Sequence, residues 1–500
     1  MARIKIDTER IIGTIDRNIF GGVIEQVGRA VYGGIYDPGS KQANADGFRK
    51  DVITAAKRMC LSVIRWPGGH WADVYRWQDG IGPQKNRPAR PVIPWPNYPP
   101  EPNGIGTDEF IRFCRKVNAE PQIMVNCCTG GIQDAMDWVE YCNGVQDTYW
   151  AQQRAALSGR SDPHKVKYWG LGCEIDYPWQ IGHKSADEYA KVAFEFAKGM
   201  KRVDPAIKTM ACGSSLWESD WGVPWDRAVV KYMCQYPHLD YLDYLGIHTY
   251  VVVHAGDTFK QRMGASETLN RRLDITQSAI TAALAEIKSD RQIHISVDEW
   301  GVLYPVGNGE YRETYNLEDA LVIAMFLNSF INHCNTVTMA NLNQLVNLIA
   351  PMMVVDDKLL LQSIFFPVEA YAAHNTGQAL DLFYEGEDYE TENSMLGKFR
   401  TGYLDVSASR NEKQLVLNVV NKSANETLTI EGMIEGREYT EISGILITGD
   451  APEVENTPDK PDRIRTETIK GKAVFGNRFK LAVPPLSVNV YRLRQVNERR

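Results

Sequence analysis

Two stretches decide the fold: VKYWGLGCEID at Val166–Asp176 and IHISVDEW at Ile293–Trp300. Both are largely apolar and lack the apolar–polar alternation of a half-exposed strand. That is the pattern of strands in a parallel sheet covered on both faces. Each run carries a glutamate at its end, Glu174 and Glu299. In an α/β barrel the chemistry gathers at the carboxyl ends of the strands. Two carboxylates facing each other across such a mouth can serve glycoside hydrolysis, one as acid and one as nucleophile or base. A glutamate ending a strand can also sit in a plain surface ion pair, so the flanking sequence has to decide.

Working outward, short apolar runs alternate with helical patterns from about residue 16 to about residue 380. The runs read as strands are Ile19–Glu25, Leu61–Arg65, Pro121–Asn126, Lys167–Glu174, Lys208–Cys212, Tyr241–Tyr250, His294–Glu299 and Thr336–Gln344. Helices are expected over Gly47–Met59, Thr107–Val117, Ile132–Tyr141, Asp274–Lys288 and Leu317–Asn332. Another starts at the capping box Ser185-Ala-Asp-Glu188 and ends at Asp204-Pro205. Strands alternating with helices predict an α/β fold, a (β/α)8 TIM barrel over residues 16–380. Beyond an acidic stretch at Glu385–Glu392 the texture turns to strands, such as Leu415-Val-Leu-Asn-Val-Val and Leu486-Ser-Val-Asn-Val. Residues 381–500, joined by residues 1–15, are expected to form an antiparallel β-sandwich domain.

A net charge of −8 over 500 residues gives no basic footprint for nucleic acid or anionic membrane. The Lys and Arg residues are scattered, apart from a modest run at Asn497–Arg500. The longest apolar stretch, Ala320–Phe330, is too short to span a bilayer and holds Asn328. No signal peptide is visible, and several cysteines fall inside expected elements, so a reduced, cytoplasmic protein is expected. No CxxC pair, GxGxxG, P-loop, HExxH or GxSxG elbow occurs, and neither a cofactor nor a metal site is expected.

The expected strand ends and the turns after them collect Glu25, Arg65, His70, Asn126, Cys173, Glu174, His248, Tyr250, Glu299 and Gln344. So many groups able to bond hydroxyls read as a sugar site. His248 and Tyr250 share a strand face, and the phenol can hold a nucleophilic carboxylate. Arg65 can brace a carboxylate, or pair with one in the barrel floor. Trp179 and Trp300 can stack on sugar rings, although single tryptophans are more often core.

The stretches FGGVIEQVGRAVYGGIYDPGS, IRWPGGHWADVYRWQDGIGP, GTDEFIRFCRKVNAEP, GLGCEIDYPWQIGHKSADEYAKVA, DYLGIHTY, ISVDEWGVLY and NQLVNLIAPMM carry a resemblance over nearly the whole chain. They resemble the α-L-arabinofuranosidases of glycoside hydrolase family 51. The resemblance implies a barrel with a C-terminal β-sandwich, retaining hydrolysis of arabinose-containing furanosides, no metal, and often a homohexamer. It makes Glu174 the acid/base and Glu299 the nucleophile, with Glu25, Arg65, His248, Tyr250 and Gln344 binding or supporting. Two residues depart from the family pattern. Cys173 and His70 stand where asparagines are usual, and a thiol cannot replace an amide that both donates and accepts. The sugar or linkage preferred is therefore expected to differ. A β-D-galactofuranosidase, an endo-β-glucanase or β-xylosidase, and a non-catalytic carbohydrate-binding protein remain the competing readings.

Overall fold

The structure is a computed structural model that describes residues 1–495, apart from 96, 146, 217, 218, 237, 308, 309 and 475. The short basic run at the C-terminal end lies outside the described residues. Eight parallel strands close into a barrel in chain order: Gly21–Val23, Val63–Trp66, Glu120–Val125, Tyr168–Leu171, Lys208–Cys212, Tyr244–Val252, His294–Leu303 and Val337–Leu342. The barrel shuts where Asn341 and Leu342 pair with Gly21 and Gly22. Only glycine fits at position 21, because a Cβ there would lie 2.0 Å from Asn341 Oδ1. A small layer of Val63, Tyr168, Met210, Tyr244 and Met339 fills the lower barrel, so the interior is packed side chains and the strands' carboxyl ends are free for a site.

Most helices lie where the apolar period places them. Thr107–Val117 and Leu317–Asn332 match their expected limits, and Ala186–Val203 starts at the capping box, with Glu188 Oε2 accepting from Ser185 N at 2.9 Å. The helix expected from Asp274 begins at Ala265. Four further helices among the described residues lie outside those the sequence predicts: Tyr149–Ser158, Gly222–Met233, the single turn Phe259–Arg262, and Phe365–His374.

The second unit is a nine-stranded sheet built from Ala2–Thr14 and eight of the strands beyond residue 377, with Asp388–Asn393 and Gly397–Gly402 paired as a separate hairpin. It is antiparallel except where Ala2–Thr14 runs parallel to Leu428–Glu435. Alternation in the strand Gln414–Asn421 sorts its neighbours: Leu415, Leu417 and Val419 face the sheet's own core, while Val416 and Val420 join the barrel's. The barrel helix Leu317–Asn332 lies against that outer face, which explains its apolar residues on every side. Asn328, the polar interruption in its apolar run, is a bridge. It donates to Asp405 at 2.8 Å and accepts from Ser407 at 2.6 Å and Tyr371 at 3.0 Å.

Candidate active site

The strand ends bring a dense ionic network to the barrel mouth. Glu299, in the seventh barrel strand, is buried and held by several donors. Arg65 Nη1 donates to Oε1 at 2.5 Å, while Tyr250 OH and Asn343 Nδ2 donate to Oε2 at 2.7 and 3.2 Å. Glu174 follows the fourth strand in the left-handed region, at φ 49°. A non-glycine residue there carries about 1–3 kcal/mol of strain, and it aims the side chain at two imidazoles. His248 Nδ1 lies 2.7 Å from Oε1, and His70 Nε2 lies 3.1 Å from Oε2. His248 and Tyr250 do share a face, one serving each glutamate.

Glu25 forms a separate corner. Its amide donates to Gln344 Oε1 at 2.8 Å, and Gln344 Nε2 returns a bond to its carboxylate at 3.0 Å. The chain passes so near that a Cβ at Gly69 would lie 2.1 Å from Glu25 Oε1. Cys173 takes a contact from Arg65 Nη2 at 3.3 Å, and its Sγ lies 3.8 Å from Glu299 Oε1. His70 spends both ring nitrogens on protein, Nδ1 on Gln180 Oε1 at 2.5 Å and Nε2 on Glu174.

Burial raises the pKa of Glu299, but the charges of His248 and Arg65 outweigh it and bring the group below the ordinary glutamate range. Burial likewise opposes ionisation of Glu174, and the bonds from His248 and His70 overturn it, leaving this carboxyl lowered too. The same contacts act on the rings against their own desolvation, lifting His70 to about 10 and His248 to about 9. Glu25 goes the other way, raised to about 7 by burial and then by the charge of Glu299.

Some expected residues fall outside the network. Trp300 is only 1% exposed and packs on Phe326 and Phe330 at 6.0 and 5.1 Å, so it is core and no platform for a sugar. It follows Glu299 on the strand and alternation turns it to the other face. Trp179 is 66% exposed and stacks on Tyr177 at 4.2 Å. Asn126 spends its amide oxygen on the amides of Cys128, Thr129 and Gly130, which shapes its own loop. Four site residues were missed: Asp73, Gln180, Asp298 and Asn343.

Cys173, His248 and Glu299 bring one ligand atom each within 4.8 Å of one another. Arg65 already bonds two of the three, and a cation among them would meet its permanent charge, so the cluster reads as an ion-pair network. Asp298 Oδ2 lies 3.4 Å from Arg65 Nε. Arg65→Met would leave Asp298 and Glu299 buried beside an apolar side chain. It should cost about 3–5 kcal/mol of stability, read as a fall in melting temperature.

Two family models cover most of the chain. The α-L-arabinofuranosidase 1 domain matches residues 55–271 and the α-L-arabinofuranosidase C-terminal domain matches residues 298–487. α-L-Arabinofuranosidase C of Emericella nidulans is 36% identical over 94% of this chain and 95% of its own. The intracellular exo-α-(1→5)-L-arabinofuranosidase 1 of Bacillus subtilis is 34% identical over 99% of each. The chain belongs to glycoside hydrolase family 51. A family member of known structure agrees in fold: α-L-arabinofuranosidase from Thermotoga maritima, solved as an arabinose complex, superposes with a TM-score of 0.90 at 33% identity, over 99% of this chain and 100% of that one. The protein is accordingly a glycoside hydrolase, with the barrel and mostly antiparallel sheet domain of its family. Among the described residues, no helix is long and apolar enough to cross a membrane.

Proposed function

We propose that this family 51 enzyme is an exo-acting, retaining α-L-arabinofuranosidase that releases terminal furanosyl residues, with Glu299 as nucleophile and Glu174 as acid/base. The observation that carries the reading is the shared imidazole. One nitrogen, His248 Nδ1, lies 2.7 Å from Glu174 and 3.7 Å from Glu299. The two nearest carboxylate oxygens are therefore at most about 6.4 Å apart, close to the roughly 5–5.5 Å of retaining pairs and short of the roughly 6.5–9.5 Å of inverting ones. Three donors keep Glu299 ionised and aimed. Its Oε attacks the anomeric carbon while the glycosidic bond breaks and the departing oxygen takes a proton from Glu174. Glu174, now a carboxylate, takes a proton from water as that water's oxygen displaces Glu299.

In this reading residues 16–380 carry the chemistry, while residues 1–15 and 381–500 buttress it. Glu25, Arg65, His248, Tyr250 and Gln344 hold the sugar or the carboxylates, with His70, Cys173 and Trp179 at its edge. The substrate is an arabinose-containing oligosaccharide, and the enzyme is a cytoplasmic homo-oligomer, a hexamer on the family's pattern. The nine cysteines are all free, as a reducing compartment would keep them.

Proton NMR of the first-formed sugar is expected to show the anomer of the substrate, before mutarotation. A panel of nitrophenyl glycosides should be cleaved fastest at α-L-arabinofuranoside. An inverted first product would overturn retention. Faster turnover of β-D-galactofuranoside, or of glucan or xylan internally, would move the enzyme to those substrates. Binding with no hydrolysis of any member of the panel would make it a carbohydrate-binding protein.

A further inference from the structure

His70 meets Glu174 through Nε2 at 3.1 Å and Gln180 through Nδ1 at 2.5 Å. The Gln180 amide is oriented from behind. Its nitrogen donates to Asp73 Oδ2 at 2.7 Å and to the Cys173 carbonyl at 3.3 Å. Asp73 Oδ2 also accepts from Cys173 N at 3.1 Å, so that oxygen has two donors on it and no hydrogen to offer. The amide oxygen is left facing His70, and it can only accept. Nδ1 must therefore carry a hydrogen. A neutral ring held in that tautomer presents a bare lone pair at Nε2, and a lone pair does not bond a carboxylate. The contact with Glu174 requires a proton between the two, as imidazolium and carboxylate or as imidazole and carboxylic acid.

We propose that Asp73 and Gln180 lock His70 in its Nδ1–H form, so that His70 and Glu174 jointly hold the one proton that Glu174 delivers to the departing glycosidic oxygen. This rests on the acid/base reading of Glu174 given above. When the aglycone leaves with the proton, His70 stays neutral with its Nδ1 hydrogen and Glu174 is a carboxylate. The proton taken from water in the second step refills the pair. His70, Gln180 and Asp73 are positioning residues in this scheme, since they act through Glu174.

The carboxylates around the pair favour retention of that proton on His70, whereas the His248 ring, bonded to Glu174, opposes it on the carboxyl. Glu174 and Glu25 face His70, Asp73 lies behind Gln180, and His248 covers the other oxygen of Glu174 with Glu299 beyond it. Trp95 meets the ring edge-on at 6.0 Å. A lone glutamic acid surrenders its proton near pH 4.3, whereas the pair keeps it well into the alkaline range, His70 itself being lifted to about 10 against its burial.

The test is the pH profile of kcat/KM on two aryl glycosides of the furanoside preferred in the panel, phenyl and 2,4-dinitrophenyl. Departure of phenol needs the proton, and departure of dinitrophenol does not. Gln180→Met frees the tautomer and His70→Asn removes the ring. On the phenyl glycoside both should bring the alkaline limb down by about one pH unit or more. On the dinitrophenyl glycoside each variant should keep the wild-type shape. An alkaline limb that stays in place in either variant, or shifts equally on both substrates, overturns the lock. Glu174→Ala run alongside separates the two levels. If it cleaves the phenyl glycoside like the wild type, the acid/base reading itself has failed. If it is impaired while the other variants keep the wild-type limb, only the lock has failed.

Discussion

Glu299→Ala should lose on the order of 10^4- to 10^6-fold in kcat, roughly 5–8 kcal/mol of transition-state stabilisation. The alanine removes the atom that would bond the anomeric carbon, and no neighbour can replace it. Tyr250 OH bonds that carboxylate, but burial pushes its phenol above the ordinary pKa and keeps it protonated, so it is a poor nucleophile. The loss should be the same for good and poor leaving groups, because the missing bond is common to both. The measurement is steady-state hydrolysis of a series of aryl furanosides, and retention of even a tenth of wild-type turnover would exclude Glu299 as the nucleophile. Folding must be checked in parallel, because Arg65 loses one of its two carboxylate partners and keeps Asp298.

Glu174→Ala should behave differently. Protonating the leaving oxygen is worth about 10^2–10^4-fold, and that aid matters in proportion to the basicity of the departing alkoxide. Natural-type and phenyl glycosides should lose most of that factor, while dinitrophenyl glycosides should lose little in the first step. A small external anion such as azide has room where the carboxylate was and should restore turnover by attacking the glycosyl intermediate without base assistance. A uniform loss across leaving groups would move the acid role elsewhere, and His70 and His248 would be the first groups to test.

The barrel is legible in the sequence because strands buried on both faces lose the alternation that exposure writes. The runs ending at Glu174 and Glu299 show it most clearly, and both glutamates stand at the barrel mouth. Where legibility fails, a local event breaks the period. The helix Ala265–Glu286 starts earlier than its apolar period predicts because its buried face includes Arg272, which donates to Ser214 O at 2.5 Å, a polar residue where an apolar one would continue the stripe. Phe365–His374 has almost no polar face to define a stripe, being covered by the sheet domain.

In the site, strict alternation would turn Asp298 away from Arg65 while Glu299 faces it. A bulge lets His248 pair with Glu299 while Ile247 pairs with Val297, so the strand passes Asp298 without a partner and both carboxylates reach Arg65. Gln180 and Asp73 come from turns beyond the strands, where no period marks a residue as facing inward. Asn343 follows the last residue of the eighth barrel strand, where alternation has ceased to rule. His70 and Cys173 are collected with the other polar groups of the strand ends and turns, but the bonds they make depend on those unmarked residues.

The strand at residues 2–14 lies between two partners made far later, Gln378–Glu385 on one side and Leu428–Glu435 on the other. On a ribosome adding about 5–20 residues per second, it waits roughly 20–90 s after leaving the tunnel for the second of them. All that time Ile4 and Ile6, which end wholly enclosed, are open to water and to other nascent chains. The barrel can complete itself before that wait is over. Biosynthesis thus has an order, enzyme centre first and clasp last, and a sequence change in these few residues would first be felt as a falling yield of soluble protein.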